Sequence, residues 1–271
     1  MTPPRILSIA GSDSGGGAGI QADIRTVTMF GGHAMTAVTA ITAQNTLGVD
    51  RVMTVPTEMV LKQIDMVLDD LGVDAIKIGM IGSAATAKAL AERLASLDVP
   101  IVFDPVMVAS SGAALADEAT IAAFDQLGRL ATLTTPNLPE LEVLTMQRIE
   151  TLGGLEDAAC RQADATGQAV LAKGGHLASE RLTDVLAEPG GLVTRWESER
   201  IDTRHTHGTG CTLASAIACG LASGLSLTDS IGRARDFVRH AILAAPGLGA
   251  GHGPMGHALG AVPFDDIHRK L

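Results

Sequence analysis

Short, nearly continuous apolar runs alternate along this chain with longer stretches in which apolar residues recur every three or four positions. The apolar runs, at residues 6–10, 34–42, 75–78, 101–103, 130–134 and 169–172, have strand length and lack polar alternation, as strands buried on both faces do. A helix is expected over residues 20–30, behind a glycine-rich loop. Another opens at Pro56-Thr57-Glu58, with Val60, Ile64, Val67, Leu68 and Leu71 close to a 3.6 period. Ser83 and Asp117 are placed to cap two more helices, the second reaching about residue 127, and a further helix starts near Pro139. Repeated strand–helix alternation with short connections predicts right-handed βαβ units around a mostly parallel sheet. Residues 49–55 suggest a short edge or flap strand, and residues 182–186 and 192–196, joined through Pro189-Gly190-Gly191, an antiparallel hairpin. Two helices, about 209–223 and 227–244, follow. With no internal repeat or linker in 271 residues, one α/β domain is expected.

Composition narrows the function classes. Hydrophobic residues make up 46% of the chain, but there are only one Trp, five Phe and no Tyr. Packing therefore falls to aliphatic side chains, and a base-stacking surface has nothing to build it. A net charge of −10 likewise argues against a nucleic-acid footprint, and an anionic ligand would need local groups or a metal ion. Cys160, Cys211 and Cys219 show neither paired metal-ligand spacing nor a disulfide framework. The first residues run into a strand without a signal peptide, and no apolar run reaches membrane-spanning length, so a cytoplasmic protein is expected.

The strongest chemical signal is His207-Gly208-Thr209-Gly210-Cys211-Thr212, a polar entry and two glycines before a small-residue helical run. A helix N-terminus leaves about four N–H groups without intrahelical partners and carries the positive end of the helix dipole. Glycines let an anion approach those groups, and a first-turn cysteine commonly has a lowered pKa. The same run also reads as a plain glycine turn before a buried helix. The loop at residues 11–19 follows the first strand as a nucleotide loop would, but both fingerprints fail. Starting at Gly15, the third glycine of a dinucleotide motif falls on Ile20; starting at Gly11 and Gly16, Gly17 stands where a P-loop needs lysine.

Polar residues gather at the carboxyl ends of the strands, where open α/β sheets bind ligands: Gln44, Asp104, Asn137, Glu140 and Lys173. Asp104 suits a magnesium ion or its water shell, or caps a turn before Pro105. Asn137 and Glu140 suit a phosphate site or a helix cap. Lys173 also reads as an ordinary solvated strand-end lysine, and Asp23, on the first helix, reads by itself as part of a solvated face. Together these groups supply charge neutralisation, a metal and positioned N–H donors, the parts of a phosphoryl transfer.

Six segments in order carry a resemblance over almost the whole chain: residues 10–23 (Ala-Gly-Ser-Asp-Ser-Gly-Gly-Gly-Ala-Gly-Ile-Gln-Ala-Asp), 43–46, 104–108, 136–140, 173–176 and 207–212. The sequence resembles the hydroxymethylpyrimidine/phosphomethylpyrimidine kinases of the ribokinase-like superfamily. The resemblance implies a three-layer α/β/α fold and two MgATP-dependent phosphorylations in thiamine biosynthesis, first of a pyrimidine hydroxymethyl group and then of the resulting monophosphate. It implies that Gln44 bonds the aminopyrimidine and that Gly11, Asp23, Met80 and Val106 line the same pocket. Gly208, Thr209 and Gly210 would form an anion hole, with Cys211 where sugar kinases carry an aspartate base. Lys173 and Asn137 would meet ATP phosphates, with Asp104 and Glu140 near magnesium, partly through water. A homodimer is implied too. Ser110 stands where many relatives have lysine, and Gly256 replaces a common asparagine. Pyridoxal kinase of the same superfamily and a non-catalytic pyrimidine sensor are the rival readings.

Overall fold

The computed structural model of the protein describes residues 2–109 and 112–262, so Ser110 lies outside the described residues. The chain runs through β1 (Arg5–Asp13), α1 (Gly19–Met29), β2 (His33–Gln44), β3 (Val49–Thr54), α2 (Thr57–Asp70), β4 (Ala75–Ile78), α3 (Ala84–Leu94), β5 (Ile101–Phe103), α4 (Glu118–Leu130) and β6 (Leu133–Thr134). It continues through α5 (Leu138–Thr145), α6 (Leu152–Thr166), β7 (Ala169–Ala172), β8 (Arg181–Glu188), β9 (Leu192–Glu199), α7 (Thr209–Ala222) and α8 (Leu227–Leu243).

The strands form one sheet in the order β3-β2-β1-β4-β5-β6-β7-β8-β9. Its centre, β2 to β7, is parallel, while β3 at one edge and the β8–β9 pair at the other are antiparallel. The flap strand and the hairpin are thus both present, each as an edge. Side chains alternate faces along each strand. Leu7, Ile9, Ile76, Ile78, Ile101 and Phe103 pack with α2, α3 and α4, whereas Ile6, Ala75, Val102 and Leu171 pack with α1, α7 and α8. A further cluster seats α5 and α6 on β7 and β8. The result is the expected three-layer α/β/α arrangement, and among the described residues no helix is long and apolar enough to cross a membrane.

Two local expectations are corrected. Leu130, expected in a strand, ends α4, and β6 is only Leu133–Thr134, because Phe124 and Leu127 continue the apolar face of the helix one turn further. Helix α6 was not foreseen: Gly153 and Gly154 in its first turn and an Ala-rich face blur its period, although Thr151 caps it and Gly167 ends it in the left-handed region. Ser83 and Asp117 cap α3 and α4 as expected, each accepting the N–H three residues on.

One residue breaks the apolar logic of the sheet. Lys77, in central strand β4, is 0% exposed and points to the α7 face. Its ammonium pairs with both oxygens of Asp23 on α1, at 2.9 and 3.0 Å. Ser8 on β1 and Ser215 on α7 donate to the same carboxylate at 2.5 and 2.7 Å. Two charges out of water are tolerated only when paired and fully hydrogen-bonded, and removing one partner strands the other. Lys77→Met alone should therefore cost about 3–5 kcal/mol, while Lys77→Met with Asp23→Leu should recover much of that loss; urea-unfolding midpoints of the two variants check it.

Candidate active site

Three strand ends and one helix start meet above the sheet. Helix α7 begins at Gly208, whose φ of 87° is left-handed. A Cβ there would overlap the carbonyl oxygen of Gly17, so the glycine loop after β1 and the start of α7 touch backbone to backbone. The Thr209 N–H is taken, weakly, by the Thr206 carbonyl at 3.3 Å. The first-turn donors of Gly210 and Cys211 come next along a helix whose first intrahelical bond is Thr212 N–H to Gly208 O.

Gly210 stands over an ion pair. Lys173, just after β7, donates to Asp104 Oδ1 at 2.8 Å, and Thr135 donates to the same oxygen at 3.1 Å. A Cβ on Gly210 would lie 3.2 Å from Asp104 Oδ2 and 3.3 Å from Lys173 Nζ. Burial pulls the Lys173 ammonium down, but the carboxylates of Asp104 and Glu140 outweigh it and hold its pKa above the ordinary value. The structure thus brings Lys173, Asp104, Glu140 and Gly210 together at the junction of β5, β7, α5 and α7.

Asn137 and Glu140 form a reciprocal capping box at the start of α5: Glu140 N–H donates to Asn137 Oδ1 and Asn137 N–H to Glu140 Oε2. The cap does not exhaust Glu140. Burial, aided by the charge of Asp104 and opposed by Lys173, pushes its carboxyl up to about 7. Among the described residues no three or more His, Cys, Asp or Glu cluster as a closed metal site. Magnesium takes one or two carboxylates and completes its shell with phosphates and water, and buried Asp104 and Glu140 beside a helix start fit that donor set.

Cys211 sits among these charges, and its expected low pKa is corrected. Burial raises the thiol to about 11, and Asp23 and Asp104 add to the rise, against Lys77 and the Gly19 N–H. The helix start favours a thiolate, but desolvation and two neighbouring carboxylates win. Cys211 is a thiol at neutral pH.

The expected acceptor pocket is brought together only in part. Gly11 lies against Met80, where a Cβ would come 2.9 Å from the sulfur, and Thr39 donates to the Met80 carbonyl at 2.5 Å. Val106 follows Asp104 in the turn after β5, its N–H bonded to the Asp104 carbonyl. Asp23, expected to line the pocket, instead lies beneath it, its carboxylate filled by Lys77, Ser8 and Ser215. Gln44, at the end of β2, lines a cavity of about 510 Å³ with Ser14, Asn45, Leu47, Gly48 and Asp50.

Sequence reasoning missed Lys77 and the pairing of His207, which it read only as the polar entry of the 207–212 motif. The signal for Lys77 was a charge inside a central apolar strand; nothing near His207 signalled its pairing, since the partner lies far away in sequence. His207 Nε2 is 2.9 Å from Asp13 Oδ2 and 3.4 Å from the Gln44 carboxamide nitrogen. Asp13 also accepts from the N–H groups of Gly15, Gly17 and Ala18. Against the opposing effect of burial, His207 and these donors hold its carboxyl below the ordinary value. A late segment buttresses this region: Pro254 bridges to His207, His252 N–H bonds the Thr46 carbonyl, and buried His257 meets buried Thr212 at 2.9 Å. Gly256 joins it by an N–H bond to the Ala241 carbonyl, and a Cβ there would overlap the Ala244 backbone.

Residues 13–256 match the phosphomethylpyrimidine kinase family. The chain is 46% identical over 259 residues to a hydroxymethylpyrimidine/phosphomethylpyrimidine kinase of Streptomyces coelicolor, covering 95% of each chain. Among solved structures it is similar to the ADP complex of Bacillus subtilis pyridoxal kinase, with a TM-score of 0.88 and 34% identity over 95% of this chain and 98% of that one. It is also similar to a phosphomethylpyrimidine kinase of Clostridium difficile, with a TM-score of 0.78 and 35% identity over 88% of this chain and 99% of that one.

The late segment makes the fold sensitive to acid. Burial, reinforced by Arg25, lowers the His257 pKa from 6.5 to about 4. Between those values the unfolded chain binds the proton that the folded chain refuses. The His257 contribution to stability is therefore complete above pH 6.5 and lost as pH falls toward 4. Wild-type unfolding free energy should decline relative to His257→Gln by at most about 1.4 kcal/mol per pH unit across that window, measured by urea unfolding at a series of pH values.

Proposed function

Because the chain belongs to the phosphomethylpyrimidine kinase family, we propose that it transfers phosphate from ATP to 4-amino-5-hydroxymethyl-2-methylpyrimidine and then to the monophosphate, giving the diphosphate used in thiamine biosynthesis. The observation that carries this reading is the Lys173–Asp104 pair, its carboxylate buried and its lysine partly open, set against the glycine-opened start of α7, with Cys211 in its first turn. Anionic phosphate meets a lysine and helix N–H donors there, and the whole chain works as one kinase domain.

In the first step the acceptor hydroxyl oxygen attacks the γ-phosphorus, the bond to the bridging oxygen breaks, and ADP leaves. Gly208, Gly210 and the Cys211 N–H enclose the transferring group, with Thr209 beside them; Lys173 and Asn137 hold phosphate oxygens. Asp104 and Glu140 would hold magnesium, partly through water, and the ion would neutralise phosphate charge. Gln44 orients the aminopyrimidine, with Gly11, Met80 and Val106 around the ring.

The Cys211 thiol does not remove the proton beforehand. A loose transition state demands little prior deprotonation, so the hydroxyl proton leaves late, to a phosphoryl oxygen, while the thiol positions the nucleophile. In the second step the nucleophile is a phosphate already largely ionised, and Cys211 matters less. We place the contact of a homodimer on the β2–β3 edge, where Ile41, Leu47 and Met53 stand exposed.

A second reading, pyridoxal kinase, draws on the similarity to the Bacillus subtilis enzyme. Following monophosphate and diphosphate separately with MgATP and the hydroxymethylpyrimidine, and pyridoxal in parallel, distinguishes the two. Turnover of pyridoxal alone would replace the thiamine reading. Under the same assay Cys211→Ala should slow the first phosphorylation roughly 100-fold, about what misplacing a positioned nucleophile by 1 Å can cost, and the second by less than about tenfold. Equal losses in both steps would refute this division of labour.

A further inference from the structure

The hydrogens around Gln44 can be counted from its neighbours. Asp13 accepts from the backbone of Gly15, Gly17 and Ala18 at 2.8, 2.9 and 2.8 Å, so it stands as a carboxylate, which only accepts. The 2.9 Å contact between Asp13 Oδ2 and His207 Nε2 therefore needs the proton on Nε2. On the other flank Thr42 Oγ1 lies 2.9 Å from the Ser12 carbonyl oxygen, also an acceptor only, so the single hydroxyl hydrogen of Thr42 is committed there. The Gln44 carboxamide lies between the two, 3.4 Å from His207 Nε2 and 3.1 Å from Thr42 Oγ1.

A half-turn about the last side-chain bond exchanges the carboxamide nitrogen and oxygen and moves no other atom. With the nitrogen toward His207 and the oxygen toward Thr42, donor meets donor and acceptor meets acceptor. With the oxygen toward His207 and the nitrogen toward Thr42, the Thr42 contact becomes a hydrogen bond and the oxygen shares the positive edge of the Nε2–H that Asp13 already accepts, so neither contact is repulsive. One N–H and one carbonyl lone pair then remain, side by side in fixed order.

We propose that the Asp13–His207 pair, with Thr42, is the specificity element of the acceptor pocket: it locks the Gln44 carboxamide so that the pocket accepts a 4-amino ring and refuses a 4-oxo ring. An aminopyrimidine edge offers a donor beside an acceptor, and its 4-oxo counterpart the reverse. Once the hydroxymethyl group points at the phosphate the ring cannot turn over, so the carboxamide order decides. His207 is a positioning residue here, acting through Gln44, and the inference rests on Gln44 facing the acceptor as proposed above.

The test compares kcat/KM for 4-amino-5-hydroxymethyl-2-methylpyrimidine and its 4-oxo counterpart in wild type, His207→Leu, His207→Gln and Thr42→Val, each checked for a cooperative thermal transition. Wild type should prefer the amino ring by roughly 10⁴-fold, as sites built around a substrate hydrogen bond do. His207→Leu should narrow the preference by about tenfold or more, through a gain on the oxo ring as the freed carboxamide turns. His207→Gln, which restores an N–H at the same reach, should return the preference. If His207→Leu fails to fold, the nearly isosteric Thr42→Val carries the test with the same expected narrowing. A preference unchanged in the folded variants overturns the proposal while leaving the kinase reading intact. A wild type that uses both rings equally, or neither, overturns the assignment of Gln44 as well.

Discussion

The Lys77–Asp23 pair holds together the four elements from which the site is made. Lys77 belongs to β4, Asp23 to α1, and the two serines that complete the carboxylate shell to β1 and α7. Gly11 lies at the end of β1, Met80 just past β4, and Cys211 in the first turn of α7. A fully buried pair constrains direction more than it adds stability, because its charges tolerate little displacement from one another. The pair also shapes the field at Cys211: Lys77 draws the thiol down while Asp23 pushes it up. Burial outweighs both, which is why the cysteine keeps its proton.

A second ion pair, Lys173–Asp104, lies beside Gly210 in the first turn of α7, and its lysine is 15% exposed. The fully buried pair joins four elements of the fold, whereas the second pair is open to solvent on its lysine side. Glu140 has two roles. One carboxylate oxygen caps α5, and the group as a whole still answers to the charges of Lys173 and Asp104.

Most of the fold was legible in the sequence because its strands are buried on both faces and its helices carry clear caps; Ser83, Asp117 and the Asn137–Glu140 box all stand where spacing put them. Helix α6 was not, since alanines give little contrast between its faces. At the site, the strand-end groups and the α7 start were legible because strand ends gather ligands in any open sheet. Asp23 was misplaced, because a polar residue on an amphipathic helix reads as surface unless its buried partner is known. Lys77 was that partner. The pairing of His207 was illegible for a topological reason: it meets Asp13, 194 positions away, and only the folded sheet brings the two together.

The segment from His252 to His257 has a consequence for the protein during its own synthesis. It bonds Thr46, His207 and Thr212, which lie beside the acceptor pocket and at the head of α7. A ribosome delivers the glycine loop and Gln44 first and this buttress some two hundred residues later, at about 5–20 residues per second. For that interval the early strands can pair, but their ligand-facing loops have nothing to lean on. The contacts of the late segment with Thr46, His207 and Thr212 are therefore the last of this region to form, whatever the early strands have already built.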